Sequence, residues 1–171
     1  MATQARSGAE TRLQVEDLLY AYADCLDHGD IHDWADFFTE DCLYKLISKE
    51  NYDLGLPLGT IFAEGRGGLL DRIASVTKTT VYHERAYTHL ITNTRVLGED
   101  PGKDGGVIEI TANYAVLETL VNQYTKILNS GRYLGKLTRT GDEGDGAALK
   151  IKELICVFDS ALVPASIIYP I

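Results

Sequence analysis

The spacing of apolar positions divides the chain into a helical first part and a strand-rich second part. Apolar residues recur at helical intervals between residues 15 and 26, which predicts a first helix over residues 11–28. Asp30 can cap a short second helix that follows at once. The apolar spacing after the glycine-rich residues 65–68 predicts a third helix that extends to about Thr79. These glycines match no phosphate-binding pattern, so we expect a turn and close helix packing there.

Strand signals dominate from residue 86 onward, and two shorter ones precede it. The segments with strand character are residues 41–49, 60–63, 86–96, 107–121, 124–140 and 149–162. Residues 51–59 contain turn-forming Gly and Pro and are predicted to form a loop. At about 3.3 Å per residue, residues 107–121 would span roughly 50 Å, so we expect a bend or a bulge in this strand.

Alternation along the strands assigns side chains to the two faces of a sheet. In the strand of residues 107–121, every second residue from 108 to 116 should point to the same face: Ile108, Ile110, Ala112, Tyr114 and Val116. In the strand of residues 86–96, the residues that should share a face are Leu90, Thr92, Thr94 and Val96. Long neighbouring strands with short connections favour an antiparallel meander. Helices followed by such a sheet predict an α+β fold, a cone in which three N-terminal helices cover the concave face of a long curved antiparallel sheet.

Length and charge narrow the organisation of the chain and its classes of partner. The 171 residues fit one domain, for which we expect residues 11–171 to fold together behind a flexible N-terminus of residues 1–10. The net charge of −9 argues against sequence-independent binding to nucleic acid or an anionic membrane, because both favour clustered Lys and Arg. No apolar run reaches the roughly 18 to 20 residues of a membrane span, and the start lacks the apolar core of a signal peptide. We therefore expect a cytoplasmic protein.

The spacing of cysteines and histidines does not predict a metal centre in this chain. Cys25, Cys42 and Cys156 are far apart and form no C-x-x-C pair, so we expect small apolar core residues. An iron–sulfur cluster would need several such ligands at close spacing. His28 and His32 lie four apart among carboxylates, but the helix break expected between them spoils ligation from one face. Solvated histidines at helix ends are the better interpretation.

His89 is the histidine with the strongest claim to chemistry. It lies among apolar residues of a predicted strand, where a pocket-facing imidazole could act as a general base oriented by an Asp such as Asp27. A half-buried histidine that is hydrogen-bonded to a neighbour fits the same pattern and is the simpler interpretation. No G-x-S-x-G nucleophile motif occurs in the chain. We therefore predict no catalytic residue and no metal ligand.

Several short motifs are typical of one family when they are taken in order. They are residues 34–44, Gly65-Arg66-Gly67 with Leu70-Asp71-Arg72, then Tyr82, Arg85, His89 and Arg95-Val96, and finally Gly131-Arg132-Tyr133, Phe158-Asp159-Ser160 and Ile168-Tyr169-Pro170-Ile171. In this order and spacing, the chain resembles the small (β) subunit of bacterial Rieske-type aromatic ring-hydroxylating oxygenases over nearly its whole length after the first ten residues. Residues 50–58 look most like the small subunits of enzymes acting on aromatic carboxylates such as salicylate, anthranilate or terephthalate.

The resemblance implies a fold, a function and partners. The fold is the cystatin-like cone shared with nuclear transport factor 2, in agreement with the α+β cone expected from the pattern. The implied function is structural: the chain stabilises a catalytic large (α) subunit that hydroxylates an aromatic ring as a dioxygenase or monooxygenase, with O₂ and electrons derived from NAD(P)H. The Rieske [2Fe-2S] cluster and the mononuclear Fe(II) are expected in that partner, and three large and three small chains form a hexamer.

Candidate contacts with the α subunit and with other β subunits are Tyr82, Arg85, Tyr169, Pro170 and Ile171. The exposed sheet and the last three of these residues would supply apolar contact surface, because an obligate subunit buries such surface against its partners.

A second hypothesis is an autonomous small enzyme. The same cone resembles scytalone dehydratase and ketosteroid isomerase, which use an internal pocket with Asp, His and Tyr. Asp27, Tyr44 and His89 would then be the acid–base set, and their pocket would have to be open. A binding or scaffold homo-oligomer is a third hypothesis. The state of the cone interior distinguishes the enzyme from the others, because an enzyme cannot fill its pocket with its own side chains.

Overall fold

The computed structural model describes residues 8–79, 81, 83–100, 106–141, 148–160, 162 and 167–171. It begins with helix α1 (Gly8–Asp27), which a 3₁₀ helix (Ile31–Phe37) follows. The predicted first two helices are therefore confirmed. Helix α1 starts earlier than predicted, because residues 8–10 are already helical. Residues 1–7 lie outside the described residues.

Helix α1 forms because one of its faces is apolar at a spacing of three or four residues. The buried residues of this face include Val15, Leu19, Tyr22 and Leu26. Asp30 caps the 3₁₀ helix as predicted, because its carboxylate accepts the backbone N–H of His32 at 2.9 Å. This capped connection follows directly on the end of α1 at Asp27.

The elements that follow are β1 (Phe38–Ser48), α2 (Lys49–Asp53), β2 (Ile61–Glu64), α3 (Gly65–Ala74) with a π-helical turn (Ser75–Thr79), β3 (Arg85–Asp100), β4 (Val107–Leu120), β5 (Lys126–Thr140) and β6 (Ala148–Phe158). The six predicted strands and the third helix are all present. Helix α2 occupies the start of the predicted loop, so that prediction is wrong for its first residues. Ser48 caps α2 by accepting the backbone N–H of Asn51 at 3.2 Å. The Gly and Pro residues that follow favour a loop, so Ser48 is not recognised as a helix cap from the sequence.

The glycine-rich start of α3 is explained by its packing on β2. Gly65 has a φ of +67°, which suits the sharp change of direction from β2 into α3. A Cβ atom at Gly68 would lie 3.2 Å from the Cα of Ala63, so the helix and the strand are in close contact. The predicted turn and close helix packing are therefore confirmed.

The six strands form one sheet in the order β2-β1-β6-β5-β4-β3. Strands β3 to β6 pair as antiparallel neighbours in chain order, which confirms the predicted meander. The prediction of a wholly antiparallel sheet is wrong in one place, because β1 pairs with β6 in parallel. This pairing joins the first strand to the last in the middle of the sheet, and no local pattern specifies it.

Strand β3 changes its buried face at Asn93. Alternate residues from Tyr87 to Ile91, including His89, are buried, as in a regular strand. Asn93 then has a left-handed backbone with a φ of 54°, and the register with β4 shifts beside it. Of the four residues predicted to share a face, the first two are exposed and the last two are buried or half-buried: Leu90, Thr92, Thr94 and Val96. That prediction is wrong because this bulge reverses the alternation.

Strand β4 has the predicted alternation, and its five predicted core residues are all buried. Where the register with β5 shifts after Val116, the residue left without a partner is Leu128, so this bulge lies in β5, and the bend or bulge expected in β4 itself stays a prediction. Helix α1 packs on β3 and β6, and α3 packs on β1 and β2, so the helices and one face of the sheet enclose a single apolar core. The three cysteines belong to this core as free thiols, as predicted.

Candidate functional site

Asp27 and His89 are brought into direct contact by the fold. Asp27 is the last residue of α1, and His89 lies on β3, which forms one edge of the sheet. Asp27 Oδ1 lies 2.5 Å from the imidazole Nδ1 of His89, and Asp27 Oδ2 accepts the backbone N–H of His89 at 2.7 Å. The two side chains are 6 % and 1 % exposed, respectively. Both carboxylate oxygens are therefore engaged with one residue of the edge strand.

These contacts stabilise the charged form of Asp27. Burial by itself raises the pKa of the carboxyl group, but hydrogen bonds from the side chain and the backbone of His89 outweigh it and lower the pKa of Asp27 below its ordinary value. With a lowered pKa, Asp27 stays ionised near neutral pH, so it can orient His89 but does not itself act as a general acid or base. The geometry is that of a structural link between α1 and the sheet.

The second ring nitrogen of His89 lies on the covered face of the sheet. His89 is in register with the buried Val116 of β4. Its Nε2 is buried and has no hydrogen-bond partner among the residues that the structure describes. Nε2 is thus the atom of the Asp27–His89 pair that retains hydrogen-bonding capacity.

Tyr44, the third residue of the hypothetical pocket, is engaged with the backbone of Ile171. The hydroxyl of Tyr44 accepts the N–H of Ile171 at 2.8 Å and donates to its carbonyl oxygen at 3.2 Å. The hydroxyl of Tyr22 donates to the same carbonyl oxygen at 2.8 Å. Burial raises the pKa of Tyr22 and of Tyr44 well above the ordinary value, so both phenols remain neutral donors. The fold therefore brings Asp27 and His89 together and joins Tyr44 to Ile171.

Residues 167–171 lie inside the cone and fill it. Ile167, Pro170 and Ile171 are buried, and the first and last of them belong to the apolar core. Large side chains of the wall are fully buried around this interior: Tyr22, Trp34, Tyr44 and Tyr133. The interior of the cone is thus packed with the chain's own residues.

Two contacts hold this segment in place along its length. Arg72 of α3 donates hydrogen bonds to the carbonyl oxygens of Ile167 and Ile168. The ring of Tyr169 packs on the ring of Tyr87 of β3, with centroids 5.2 Å apart. Burial lowers the pKa of Arg72, but the ordinary value of this group lies so high that it remains charged. The segment is therefore attached to both the helical layer and the sheet.

Two surface depressions lie outside this interior. One, of about 340 Å³, is lined by Gln14, Asp17, Leu18, Arg139 and Leu149. The other, of about 370 Å³, is lined by residues 84–86 and 119–123. Neither contains Asp27, Tyr44 or His89, so neither is the open pocket that the enzyme hypothesis requires.

The residues predicted to contact partner subunits have different environments. Tyr82 lies outside the described residues. Arg85 Nη1 lies 2.6 Å from the carboxylate of Glu118, and the two side chains are 10 % and 8 % exposed. Tyr169 is half-buried, and Pro170 and Ile171 are buried. In the single chain the cone covers these last two residues, and their contact with a partner subunit stays a prediction.

Exposed apolar side chains occur together in two other places. The β2 patch, on the segment that leads into the edge strand β2 and on that strand, comprises Leu54, Leu56, Leu58 and Phe62. The hairpin patch, at the turn between β4 and β5, comprises Val121, Tyr124 and Ile127. Grouped apolar residues of this kind are typical of surfaces that contact other proteins.

Residues that hold the site together were missed in the sequence. Arg72 has no local signal, because its partners Ile167 and Ile168 are remote in the chain. Glu118 follows the parity of the buried residues Tyr114 and Val116, so extending the alternation by one step would have found it.

The two histidines near the end of α1 pair with carboxylates at the surface. His28 Nδ1 lies 3.1 Å from Asp24, and His32 Nδ1 lies 2.6 Å from Asp30. Within the described part of the chain, no group of three or more His, Cys, Asp or Glu side chains could hold a metal ion. The described residues of this chain therefore do not fit the ligand set of an iron–sulfur cluster or of a mononuclear iron site. None of the described helices is long and apolar enough to cross a membrane.

Comparison with known proteins gives consistent results at the level of sequence. The profile of a family described as "Ring hydroxylating beta subunit" matches residues 21–160. The chain is 30 % identical over 162 residues to the anthranilate 1,2-dioxygenase small subunit of Burkholderia cepacia, with 95 % of each chain covered. It is 29 % identical to subunit beta 2 of the terminal oxygenase component of terephthalate 1,2-dioxygenase from Comamonas sp, covering 93 % of this chain and 97 % of that one.

Comparison of structures agrees with the sequence. The beta subunit attributed to an aromatic-ring-hydroxylating dioxygenase of Novosphingobium aromaticivorans matches with a TM-score of 0.80 at 28 % identity. This match covers 95 % of the present chain and 98 % of the other, and it confirms the cystatin-like cone. From the family profile and these relatives, the chain belongs to the β subunits of aromatic ring-hydroxylating dioxygenases.

Proposed function

We propose that this chain is the non-catalytic, structural β subunit of a cytoplasmic oxygenase that hydroxylates an aromatic ring. In this proposal a large α subunit holds the Rieske [2Fe-2S] cluster and the mononuclear Fe(II), and three large and three small chains form the assembly. Family membership supports the role of an oxygenase subunit. The observation that carries the structural role is the filled cone, in which the hydroxyls of Tyr22 and Tyr44 bind the backbone of Ile171.

The state of the candidate acid–base residues also supports a structural role. Both oxygens of Asp27 are occupied by His89, and the pKa of Asp27 is lowered. Tyr44 is occupied by Ile171. An autonomous dehydratase or isomerase would need a substrate to reach Nε2 of His89 and the hydroxyl of Tyr44, and both lie in the covered interior.

We infer that the substrate of the assembled oxygenase is an aromatic acid and that the reaction is a dioxygenation. The two relatives with the sequence similarity given above are named for anthranilate and terephthalate, and both are 1,2-dioxygenases. The similarity extends over at least 93 % of this chain in each case, so it includes the surfaces on which partners pack.

We assign the β2 patch to contact with the α subunit. Its leucines are exposed just before the edge strand β2 and its phenylalanine is exposed on that strand, and an obligate subunit buries such side chains against its partner. A charged side chain at the centre of this patch should therefore weaken assembly without unfolding the chain.

Co-expression with large subunits of aromatic-acid dioxygenases tests the proposal. Size-exclusion chromatography with light scattering gives the mass of the complex, and an iron assay shows which chain the iron follows. We expect a large hetero-oligomer whose iron follows the larger chain and whose ring-hydroxylating activity falls when this chain is omitted. Leu58→Glu should reduce the hetero-oligomer, whereas Leu13→Glu, at an exposed position of α1 outside the patch, should not.

Three results would overturn the proposal or its parts. A homo-oligomer that binds none of the large subunits would refute the subunit function. Loss of turnover per iron in a fully assembled Asp27→Asn complex would refute the non-catalytic role. Equal assembly by Leu58→Glu and the unmodified chain would refute the β2 patch as the contact surface.

A further inference from the structure

The contacts of Ile171 are those of a ligand in a pocket. Its carbonyl oxygen accepts two phenol O–H groups, from Tyr22 at 2.8 Å and from Tyr44 at 3.2 Å. Its N–H donates to Tyr44 at 2.8 Å, and its apolar side chain is part of the core. Small-molecule sites have this composition, an apolar enclosure with a few converging polar groups.

The wall beside Ile171 has more hydrogen-bonding capacity than residues 167–171 use. Cys156 Sγ lies 3.5 Å from the Ile171 carbonyl oxygen, and Cys156 is directly opposite Tyr133 in the pairing of β5 with β6. Tyr133 is fully buried, and its hydroxyl has no hydrogen-bond partner among the residues that the structure describes. A buried hydroxyl without a partner is uncommon in a folded protein and marks a site that other groups can satisfy.

We propose that the cone contains a binding site for a small apolar molecule that carries an acceptor oxygen, such as an aryl ketone, and that residues 167–171 occupy this site in the folded chain. The ketone oxygen would accept from Tyr22 and Tyr44, as the backbone oxygen of Ile171 does. The aromatic body would replace the Ile171 side chain against the apolar wall. This site belongs to the isolated chain and does not depend on the proposed role in an oxygenase.

Arg72 holds residues 167–171 in the site. It donates to the carbonyl oxygens of Ile167 and Ile168, at the opposite end of the segment from Ile171, which Tyr22 and Tyr44 bind. A ligand that competes with residues 167–171 binds only to the chains in which the segment is displaced. Its apparent affinity is its intrinsic affinity multiplied by the fraction of such chains. Removing the guanidinium raises that fraction and should tighten apparent binding without touching the two phenol donors.

The test uses the full chain with Arg72→Ala and acetophenone as the ligand, and ethylbenzene serves as the matched ligand without a carbonyl. Calorimetry gives the affinity, and the emission of Trp34 reports the site, because Trp34 is the single tryptophan and its ring centroid lies 5.0 Å from that of Tyr44. We expect Arg72→Ala to bind acetophenone at least tenfold tighter than the unmodified chain does. It should also prefer acetophenone over ethylbenzene by about tenfold, the worth of a net hydrogen bond, and adding Tyr44→Phe should reduce this preference.

A second opening variant keeps the test decisive if Arg72→Ala does not fold. Ile171→Ala shortens a buried side chain and leaves an apolar space that a small aromatic molecule can fill. If neither variant folds, selective binding of acetophenone over ethylbenzene by the unmodified chain at millimolar concentration decides the question. Folded variants that bind neither ligand, or that bind both equally, would overturn the site. No large subunit is present, so neither result bears on assembly of the oxygenase. Ligand binding would show that the filled cone can open, and the non-catalytic role would then rest on the turnover of the Asp27→Asn complex.

Discussion

Replacing Asp27 with Asn tests whether the buried Asp27–His89 contact holds helix α1 to the sheet. Asn keeps the shape but offers one acceptor oxygen in place of two, so its NH₂ group faces one of the two N–H donors of His89. The contact that is lost is a hydrogen bond to a charged group, worth about 1.5 to 3 kcal/mol, and a buried donor is left unsatisfied. We expect the free energy of unfolding to fall by about 3 kcal/mol.

Thermal unfolding of the isolated chain at pH 7, followed by circular dichroism at fixed protein concentration, measures this loss. For a domain of this size, about 3 kcal/mol corresponds to a decrease of roughly 6 to 12 °C in Tm. Asp24→Asn is the matched control, because Asp24 also pairs with a histidine, His28 just after the end of α1, but the two side chains are 79 % and 72 % exposed. An exposed pair contributes little, so the control should change Tm by no more than about 2 °C.

The pH dependence of the difference has a defined sign. The folded-state pKa of Asp27 lies below its ordinary value of about 3.9. The stabilisation is therefore fully present above that ordinary value and is lost as the pH falls through the folded-state pKa. The difference in Tm between the unmodified chain and Asp27→Asn should be constant from neutral pH to about pH 5 and should shrink below about pH 4. Equal losses for Asp27→Asn and Asp24→Asn would refute the reasoning, as would a difference that grows on acidification.

Two further predictions concern the sheet. Arg85→Met leaves Glu118 charged and unpaired in a nearly buried site, so urea unfolding should show a loss of about 3 to 5 kcal/mol, part of which Glu118→Gln in the same chain should restore. A chain that keeps its full stability with Arg85→Met would show that the pair is solvated. Gly131→Ala places a Cβ atom on the carbonyl oxygen of Val157 and should abolish soluble folded protein, whereas Gly67→Ala, with nothing within 4 Å of the new atom, should fold and gain up to about 1 kcal/mol. Soluble yield and elution volume in size-exclusion chromatography compare these two variants, and equal yields would contradict the close approach at Gly131.

The local elements could be predicted because each follows from residues that are near in the chain. The alternation of β4 and the cap at Asp30 are signals of this kind, and both are confirmed. The parallel pairing of β1 with β6 could not be predicted, because it depends on contacts between residues about a hundred positions apart. The reversal of faces in β3 depends on the left-handed backbone of Asn93, and Asn is compatible with that conformation without requiring it.

The candidate site shows the same division. Asp27 and His89 could be paired in advance because one ends a helix and the other lies on an apolar strand that the helix covers. The position of Ile171 could not, because a short apolar segment with a proline has no periodicity and fits a subunit contact as well as a core. Its hydrogen bonds to Tyr22 and Tyr44 join residues that are far apart in sequence, so only the folded cone specifies them.

The filled interior determines which experiment separates a structural subunit from a catalytic one. The backbone of Ile171 binds the hydroxyls of Tyr22 and Tyr44, and the carboxylate of Asp27 binds Nδ1 of His89. The groups that an autonomous enzyme would present to a substrate therefore stabilise the fold of the chain. Asp27→Asn should then reduce stability and the yield of assembled oxygenase together, while turnover per iron in the assembled fraction remains unchanged. A catalytic role for Asp27 predicts the opposite result, full assembly with reduced turnover per iron.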